Sequence, residues 1–255
     1  MFKKQKLSIV SILSIILPVL LLFTPSVAYA MHIEDGILPA QAWITWYVIS
    51  ALFVVVGIWE IKKRSEENLH YKPLLSMVGV AVFVISCMHL PVPVTGSCSH
   101  PCGTPLAAIV VGPWATTVIS AIALFFQAIF LGHGGITTIG ANNFSMGIVG
   151  GMSGYLSWKI FRKFGSPIWL AAGIAGFVGD VMTYLTSAFE LALSLHGNVS
   201  LVKQWMIFFM GYGPTQLPLA IFEAIFTAAV IQVMVNRRPD LLPGIIISGN
   251  AKGVK

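Results

Sequence analysis

Residues 104–131 read TPLAAIVVGPWATTVISAIALFFQAIFL. The run carries no charge, and it is longer than the roughly 20 residues with which an α-helix crosses a hydrocarbon core. Gly112-Pro113 interrupts it. Proline lacks an amide hydrogen and its ring clashes with the preceding turn, so a helix that reaches Val111 has to stop or bend there. Whether this run is one crossing or the meeting of two decides the number of helices in the chain.

The rest of the 255 residues places the run in a membrane. Apolar types make up 56% of the chain and charged types only 9%; mean hydropathy is +0.86. A soluble domain averages about 25% charged residues. This chain has too little polar surface to meet water on all sides, so most of it faces lipid or other helices. Further hydrophobic segments lie at 41–61, 74–90, 144–161, 168–195 and 205–236. Backbone in lipid has to satisfy its own hydrogen bonds, so these segments are read as helices, and the expected class is an all-α integral membrane bundle.

Cations set the sides. Lys62-Lys63-Arg64, Arg162-Lys163 and Arg237-Arg238 each follow a hydrophobic segment, and the positive-inside rule puts all three in the cytoplasm. They are topology signals rather than a nucleic-acid footprint. The chain must then cross an even number of times between Arg64 and Arg162. The visible segments 74–90, 104–131 and 144–161 give three, so one reversal is hidden, and Gly112-Pro113 is the place for it. The piece before the break is too short to cross alone, so part of 91–103 has to dip into the protein. This predicts seven transmembrane helices in one bundle, N-terminus outside and C-terminus inside. Ser97–Gly103 and His133–Asn143 then lie on the outer half, where irregular backbone must line a cavity within the protein.

The first 30 residues have the three parts of a signal peptide: Lys3, Lys4 and Lys6, then an apolar stretch from Leu7 to Phe23, then Ala28-Tyr29-Ala30 with small residues at the cleavage positions. Cleavage after Ala30 exposes Met31-His32-Ile33. A start codon at Met31 gives the same end, whereas an uncleaved first helix does not. The expected domains are a signal peptide at 1–30, a transmembrane metal-binding domain at 31–238, and a short polar cytoplasmic tail at 239–255.

A free amine followed by His is a chelator. The Met31 amine, the His32 backbone nitrogen and the His32 imidazole can hold one ion in fused small rings, and a deprotonated amide nitrogen favours the planar geometry of Ni²⁺ or Cu²⁺. A surface histidine near a terminus is the plainer reading. His100, in Gly96-Ser97-Cys98-Ser99-His100-Pro101-Cys102-Gly103, is the best candidate for a fourth ligand. His133, beside Gly134-Gly135, reads as a fourth ligand, a donor orienting His100, or a hydrogen-bonded loop residue. His70, His89 and His196 read as structural or solvated. Asp180, Glu190 and Glu223 fall inside apolar segments, where a carboxylate either serves a cation or proton pathway or is a hydrogen-bonded packing residue. Glu34 and Asp35 flank the chelator and are placed to draw cations to its mouth. Cys87, Cys98 and Cys102 are an odd number and imply no disulfide framework. Gly147 with Gly151, Gly150 with Gly154, and Gly173, Gly176 and Gly179 have helix-packing spacing. The sequence holds no GxxxxGK[ST] loop and no HExxH pair.

Four motifs, Met31-His32-Ile33-Glu34-Asp35-Gly36, Val94-Thr95-Gly96-Ser97-Cys98-Ser99-His100-Pro101, Gly112-Pro113-Trp114, and His133–Asn143 followed by Phe144-Ser145-Met146, resemble in content and order the CbiM/NikM family. Its members are substrate-binding (S) components of energy-coupling factor transporters for cobalt and nickel, and the resemblance spans about 31–236. It implies a seven-helix bundle whose processed N-terminus is tucked into an outward cavity, with Met31, His32 and His100 as metal ligands. Ser99, His133, Asn142 and Asn143 are expected in the cavity wall or in contacts that orient the ligands. The Ser-His-Pro context of His100 is nearer the cobalt branch. Cys102 stands where the family suggests Thr, which puts little in doubt beyond metal preference.

The resemblance also implies partners: a transmembrane coupling (T) subunit, a pair of cytoplasmic ATPase (A) subunits and a small accessory membrane subunit. The expected role is import of Co²⁺ for cobalamin synthesis across a prokaryotic plasma membrane. The alternative within the family is Ni²⁺. Outside it stand an intramembrane zinc enzyme built on His100, His133 and a carboxylate, and a stand-alone secondary transporter with Asp180 or Glu223 as proton relay. No catalytic residue and no cofactor is expected, since the metal is cargo.

Overall fold

The computed structural model describes residues 29–30, 32–88, 90–91 and 97–242, with backbone alone at 29–30, 90–91 and 97–98. The signal-peptide reading of 1–28, Met31, His89 and the tail from 243 lie outside the described residues.

Helix α1 spans Ala40–Glu67 and α2 spans Tyr71–Ser86. The first starts directly after Pro39, whose extended backbone caps it, and runs through Lys62-Lys63-Arg64 instead of stopping near 61. Leu52, Val55 and Trp59 stand 64%, 64% and 63% exposed along α1, an outer face suited to lipid and not to water. Helix α2 ends at Ser86, four residues short of the expected 90, and Leu90–Pro91 is already extended. Pro91 keeps Leu90 out of the helical region.

The 104–131 run is broken where its sequence predicts. Helix α3 covers Thr104–Val111 and α4 covers Pro113–Phe126, continuing as a π-helical turn over Gln127–Leu131. Gly112 between them has φ 97° and ψ 152°, a conformation all but confined to glycine. Arg64 of α1 closes the end of α3, its Nη1 donating to the Val111 carbonyl at 3.1 Å while Tyr71 Oη donates to the same carbonyl at 2.9 Å. The stretch before α3 is buried: His100 and Cys102 are inaccessible to solvent.

After the turn at 132–138 the chain becomes helical at Ile139, earlier than the expected 144. Helix α5 (Ile139–Asn143) passes through a π-helical stretch, Phe144–Gly150, into α6 (Gly151–Lys163). Helix α7 spans Ile168–Leu195 and α8 spans Leu201–Arg237, with Pro214 and Pro218 inside it. The two pack along much of their length. The glycine pairs serve these internal contacts, with Gly150 against Thr183 of α7 and Gly176 against the Glu223 backbone of α8. The tail begins as an ordered turn at Pro239–Leu241, and Leu242 is buried among Ile85, Leu106 and Trp158, so its first residues dock on the bundle.

Among the described residues, four helical stretches are long and apolar enough to cross a membrane: Ala40–Glu67, Pro113–Leu131, Ile168–Leu195 and Leu201–Arg237. A small sheet of order β1-β3-β2 lies among the helices. Strand β1 (Tyr29–Ala30) pairs parallel with β3 (Ser97–Ser99), and β2 (Leu90–Pro91) pairs antiparallel with β3. The sheet lays the chain just before Met31 beside the chain just before His100.

Candidate metal centre

The segment that follows β1 is fastened at two points. Ile33 is buried in an apolar cluster with Leu38, Trp46, Ala141 and Leu191. Its N–H donates to Asn142 Oδ1 at 2.8 Å, and its carbonyl accepts Asn142 Nδ2 at 3.1 Å and the Thr138 hydroxyl. Two residues on, Asp35 accepts the backbone N–H groups of Ile136 at 3.1 Å and Thr137 at 2.8 Å, as well as the Thr137 hydroxyl. Asp35 therefore clamps the N-terminal segment to the 133–138 turn. The turn has to be glycine-rich for this. A Cβ on Gly135 would lie 2.2 Å from Asp35 Oδ1, and one on Gly134, at φ +73°, would lie 3.0 Å from His32 Cβ.

Between the two fastenings and the 97–103 stretch, three imidazoles meet. His32, His100 and His133 are 4%, 0% and 6% exposed. Their ring centroids lie 4.6 Å (His32–His100), 4.8 Å (His32–His133) and 5.4 Å (His100–His133) apart. One ring nitrogen from each can be chosen so that all lie within 4.8 Å of one another. His100 Nδ1 lies 2.9 Å from the Pro101 carbonyl oxygen. A carbonyl can only accept, so Nδ1 carries the proton, and Nε2 of the neutral ring holds the lone pair a metal needs.

That Nε2 lies 3.1 Å from His32 Nε2. Because that atom of His100 holds a lone pair, His32 Nε2 donates to it, and the two imidazoles meet at one point of the cavity. Tyr184 of α7 donates to the His100 carbonyl at 3.0 Å and fixes this loop from the other side.

Gln127 is the participant that sequence reading passed over. It is fully buried, its Nε2 donates to Ser86 Oγ at 2.7 Å, and its Oε1 lies 3.2 Å from His32 Nε2. Ser86 Oγ donates to the Val82 carbonyl at 2.7 Å, so it accepts from Gln127 and leaves Oε1 facing the histidine. The available signal was one amide in an otherwise apolar run.

Other expected residues fall elsewhere. Ser99 is buried, but its hydroxyl donates to Thr215 Oγ1 at 3.1 Å, toward α8. Asn143 donates to Ser50 of α1 at 2.8 Å, which makes it a helix-packing contact. His70 is exposed, and His196 lies in the turn after α7 with Nδ1 3.0 Å from the Gly197 carbonyl oxygen. Asp180, Glu190 and Glu223 are all buried. Glu223 accepts the N–H groups of Cys102 at 2.6 Å and Gly103 at 2.8 Å, so α8 holds the loop just past His100.

The chain is similar to known metal-transport proteins. A family model, CbiM, described as a cobalt uptake substrate-specific transmembrane region, matches residues 32–241. A cobalt transport protein CbiM of Sorangium cellulosum is 42% identical over 212 residues, 83% of this chain and 94% of that protein. One from Thermosipho melanesiensis is 44% identical over 220 residues, 84% and 91%. Among solved structures, a crystal structure of a truncated transition metal transporter is similar at a TM-score of 0.69 and 26% identity, covering 80% of this chain and 98% of that one.

Proposed function

This chain belongs to the CbiM family of cobalt-uptake transmembrane proteins and is a multi-pass membrane protein, and from that premise we propose that it is the substrate-binding subunit of an energy-coupling factor transporter importing Co²⁺ for cobalamin synthesis. The observation that carries the reading is the 3.1 Å approach of His32 and His100 in a buried cluster, with His32 on the segment that a signal peptidase would free. Removal of residues 1–30 leaves Met31 as the first residue. Its amine, the His32 amide nitrogen and His32 Nδ1 close the fused rings, and His100 Nε2 supplies the fourth ligand. The chelate uses Nδ1 and leaves the proton on Nε2, where Gln127 Oε1 accepts it. His133, with its ring 4.8 Å from that of His32, walls the cavity.

The seven-crossing topology, N-terminus outside and C-terminus inside, follows if residues 99–111 together complete one crossing. The burial of 99–103 and the break at Gly112 support it. Energy comes from a transmembrane coupling subunit and cytoplasmic ATPases, with a small accessory membrane subunit in the complex. The absence of a P-loop sequence here suits that division, and the names of the relatives favour transport over a zinc enzyme. Nickel is the second reading, since an amide-nitrogen chelate suits planar Ni²⁺; competition between the two ions on the purified protein ranks them. The decisive experiment compares Co²⁺ binding by protein starting at Met31 with protein carrying one extra Ala before it. The extra residue should abolish tight binding, and unchanged binding would overturn the chelate.

A further inference from the structure

Beneath the imidazoles lies a second group of metal-ligating side chains. Cys102, Asp180 and Glu223 place Sγ and carboxylate oxygens within 4.8 Å of one another, and none is more than 1% exposed. Cys102 Sγ lies 3.4 Å from Asp180 Oδ1. Gln216 of α8, also buried, donates from Nε2 to Asp180 Oδ2 at 2.5 Å. Its own Oε1 is enclosed and has no hydrogen-bond partner among the described residues.

This arrangement is costly for a packing contact. Two carboxyl groups share one interior pocket, and among the described residues neither forms a salt bridge. Buried carboxyl groups of this kind need protons or a cation, and a merely structural core is served as well by neutral side chains. An amide oxygen left unpaired beside them adds to the cost, because a buried polar atom without a partner loses the full value of its hydration. A cation would settle both deficits. Each Glu223 oxygen accepts one backbone N–H, which leaves a lone pair on each for a metal.

The donor set selects the class of cation. Carboxylates and an amide oxygen alone would suit Mg²⁺ or Ca²⁺, whereas a sulfur donor shifts the preference to later transition metals. Position selects the role. Cys102 follows His100 by two residues. Asp180 precedes Tyr184, the residue that holds the His100 carbonyl, by one turn of α7. It therefore lies on the side nearer Ile168 and the Arg162-Lys163 cluster. From Cys102 the chain enters α3, which ends at Val111 against Arg64. The group thus sits between the imidazoles and the cationic end of the bundle.

We propose that Cys102, Asp180, Glu223 and the Gln216 amide oxygen form a second, inner site for the transported divalent ion, occupied after the ion leaves the imidazoles. The proposal rests on the reading of the imidazole site as the point of capture. Cys102 coordinates as thiolate, so binding releases its proton, and the sulfur is a spectroscopic reporter of occupancy.

The test uses full-length processed protein in detergent with Co²⁺ as the probe, reading stoichiometry by equilibrium dialysis and the near-ultraviolet thiolate-to-Co²⁺ charge-transfer band. Wild type should bind two ions at saturation. His100→Ala should bind one, with the thiolate band retained, and the protein extended by Ala before Met31 should do the same without any change in the core. Adding Cys102→Ala and Asp180→Asn to either should remove that ion and the band; the Asn retains an oxygen for Gln216. If wild type binds one ion and both blocked proteins bind none, the inner site is wrong and the capture site stands. If the residual ion gives no thiolate band and survives the double substitution, it lies elsewhere and the inner site is wrong again. If wild type binds no Co²⁺, both readings fall.

Discussion

The side-chain amide of Asn142 brackets the backbone of Ile33, accepting its N–H at 2.8 Å and donating to its carbonyl at 3.1 Å. One rigid amide therefore reads both main-chain groups of the residue after His32 and sets how far the N-terminal segment enters the bundle. Asn142→Ala leaves the Ile33 N–H buried without its acceptor, at a cost of about 1–3 kcal/mol. The Thr138 hydroxyl still covers the carbonyl, so the fold should survive. We expect Co²⁺ affinity to fall by about 10–100-fold, the usual effect of losing a residue that orients a ligand. Calorimetric titration checks this, and an unchanged affinity would show that the segment finds its place without Asn142.

Gln127 should matter for a different reason. It presents an acceptor to His32 Nε2, and Ser86 holds it in that orientation. When His32 Nδ1 carries a lone pair for the metal, the neutral ring has its proton on Nε2, and Gln127 favours that tautomer. Gln127→Leu removes the preference while keeping the volume roughly filled. The expected outcome is weaker Co²⁺ binding, again by about 10–100-fold, with little change in thermal stability. Gln127→Glu restores an acceptor at the same place and should recover part of the loss; if both variants bind alike, the amide has no orienting role.

Some of this was legible in the sequence and some was not, for physical reasons. The Gly112-Pro113 break could be read because proline's effect is local and depends on no partner. The His32–His100 pairing could be anticipated because Met31-His32 and Ser99-His100-Pro101 are short motifs with their own chemistry. The hold of Asp35 on the 133–138 turn was not legible, because its partners, Ile136 and Thr137, are distant in sequence. Gln127 carried no motif at all. The meeting of Asp180 with Glu223 and Cys102 needs the packing of α7 on α8, which spacing along the chain does not encode.

Gly112 offers a test of the break itself. Its backbone, at φ 97° and ψ 152°, is strained for any other residue, and an added Cβ would lie 3.0 Å from Arg64 Nη1. Gly112→Ala should cost about 1–3 kcal/mol from the backbone alone, with a further loss if Arg64 is displaced from the Val111 carbonyl. The melting temperature in detergent should drop by several degrees. Arg64→Ala removes the contact but not the backbone conformation, so it should cost less. A larger loss from Arg64→Ala would mean that the cap, not the glycine, holds the junction of α3 and α4.

Asp35 distinguishes a clamp from a lure by kinetics. As a lure it would act on diffusing ions, so its removal would slow Co²⁺ association, more at low salt than at high salt. As a clamp it holds two backbone N–H groups of the 133–138 turn, so its removal should loosen the bound segment and speed dissociation. Asp35→Ala is expected to raise the dissociation rate with little change in association or in salt dependence. Asp35→Asn keeps one carbonyl oxygen for the turn but loses the charge, and should fall between Asp35→Ala and wild type. An association rate that drops equally in both variants, with dissociation unmoved, would return Asp35 to the role its charge first suggests.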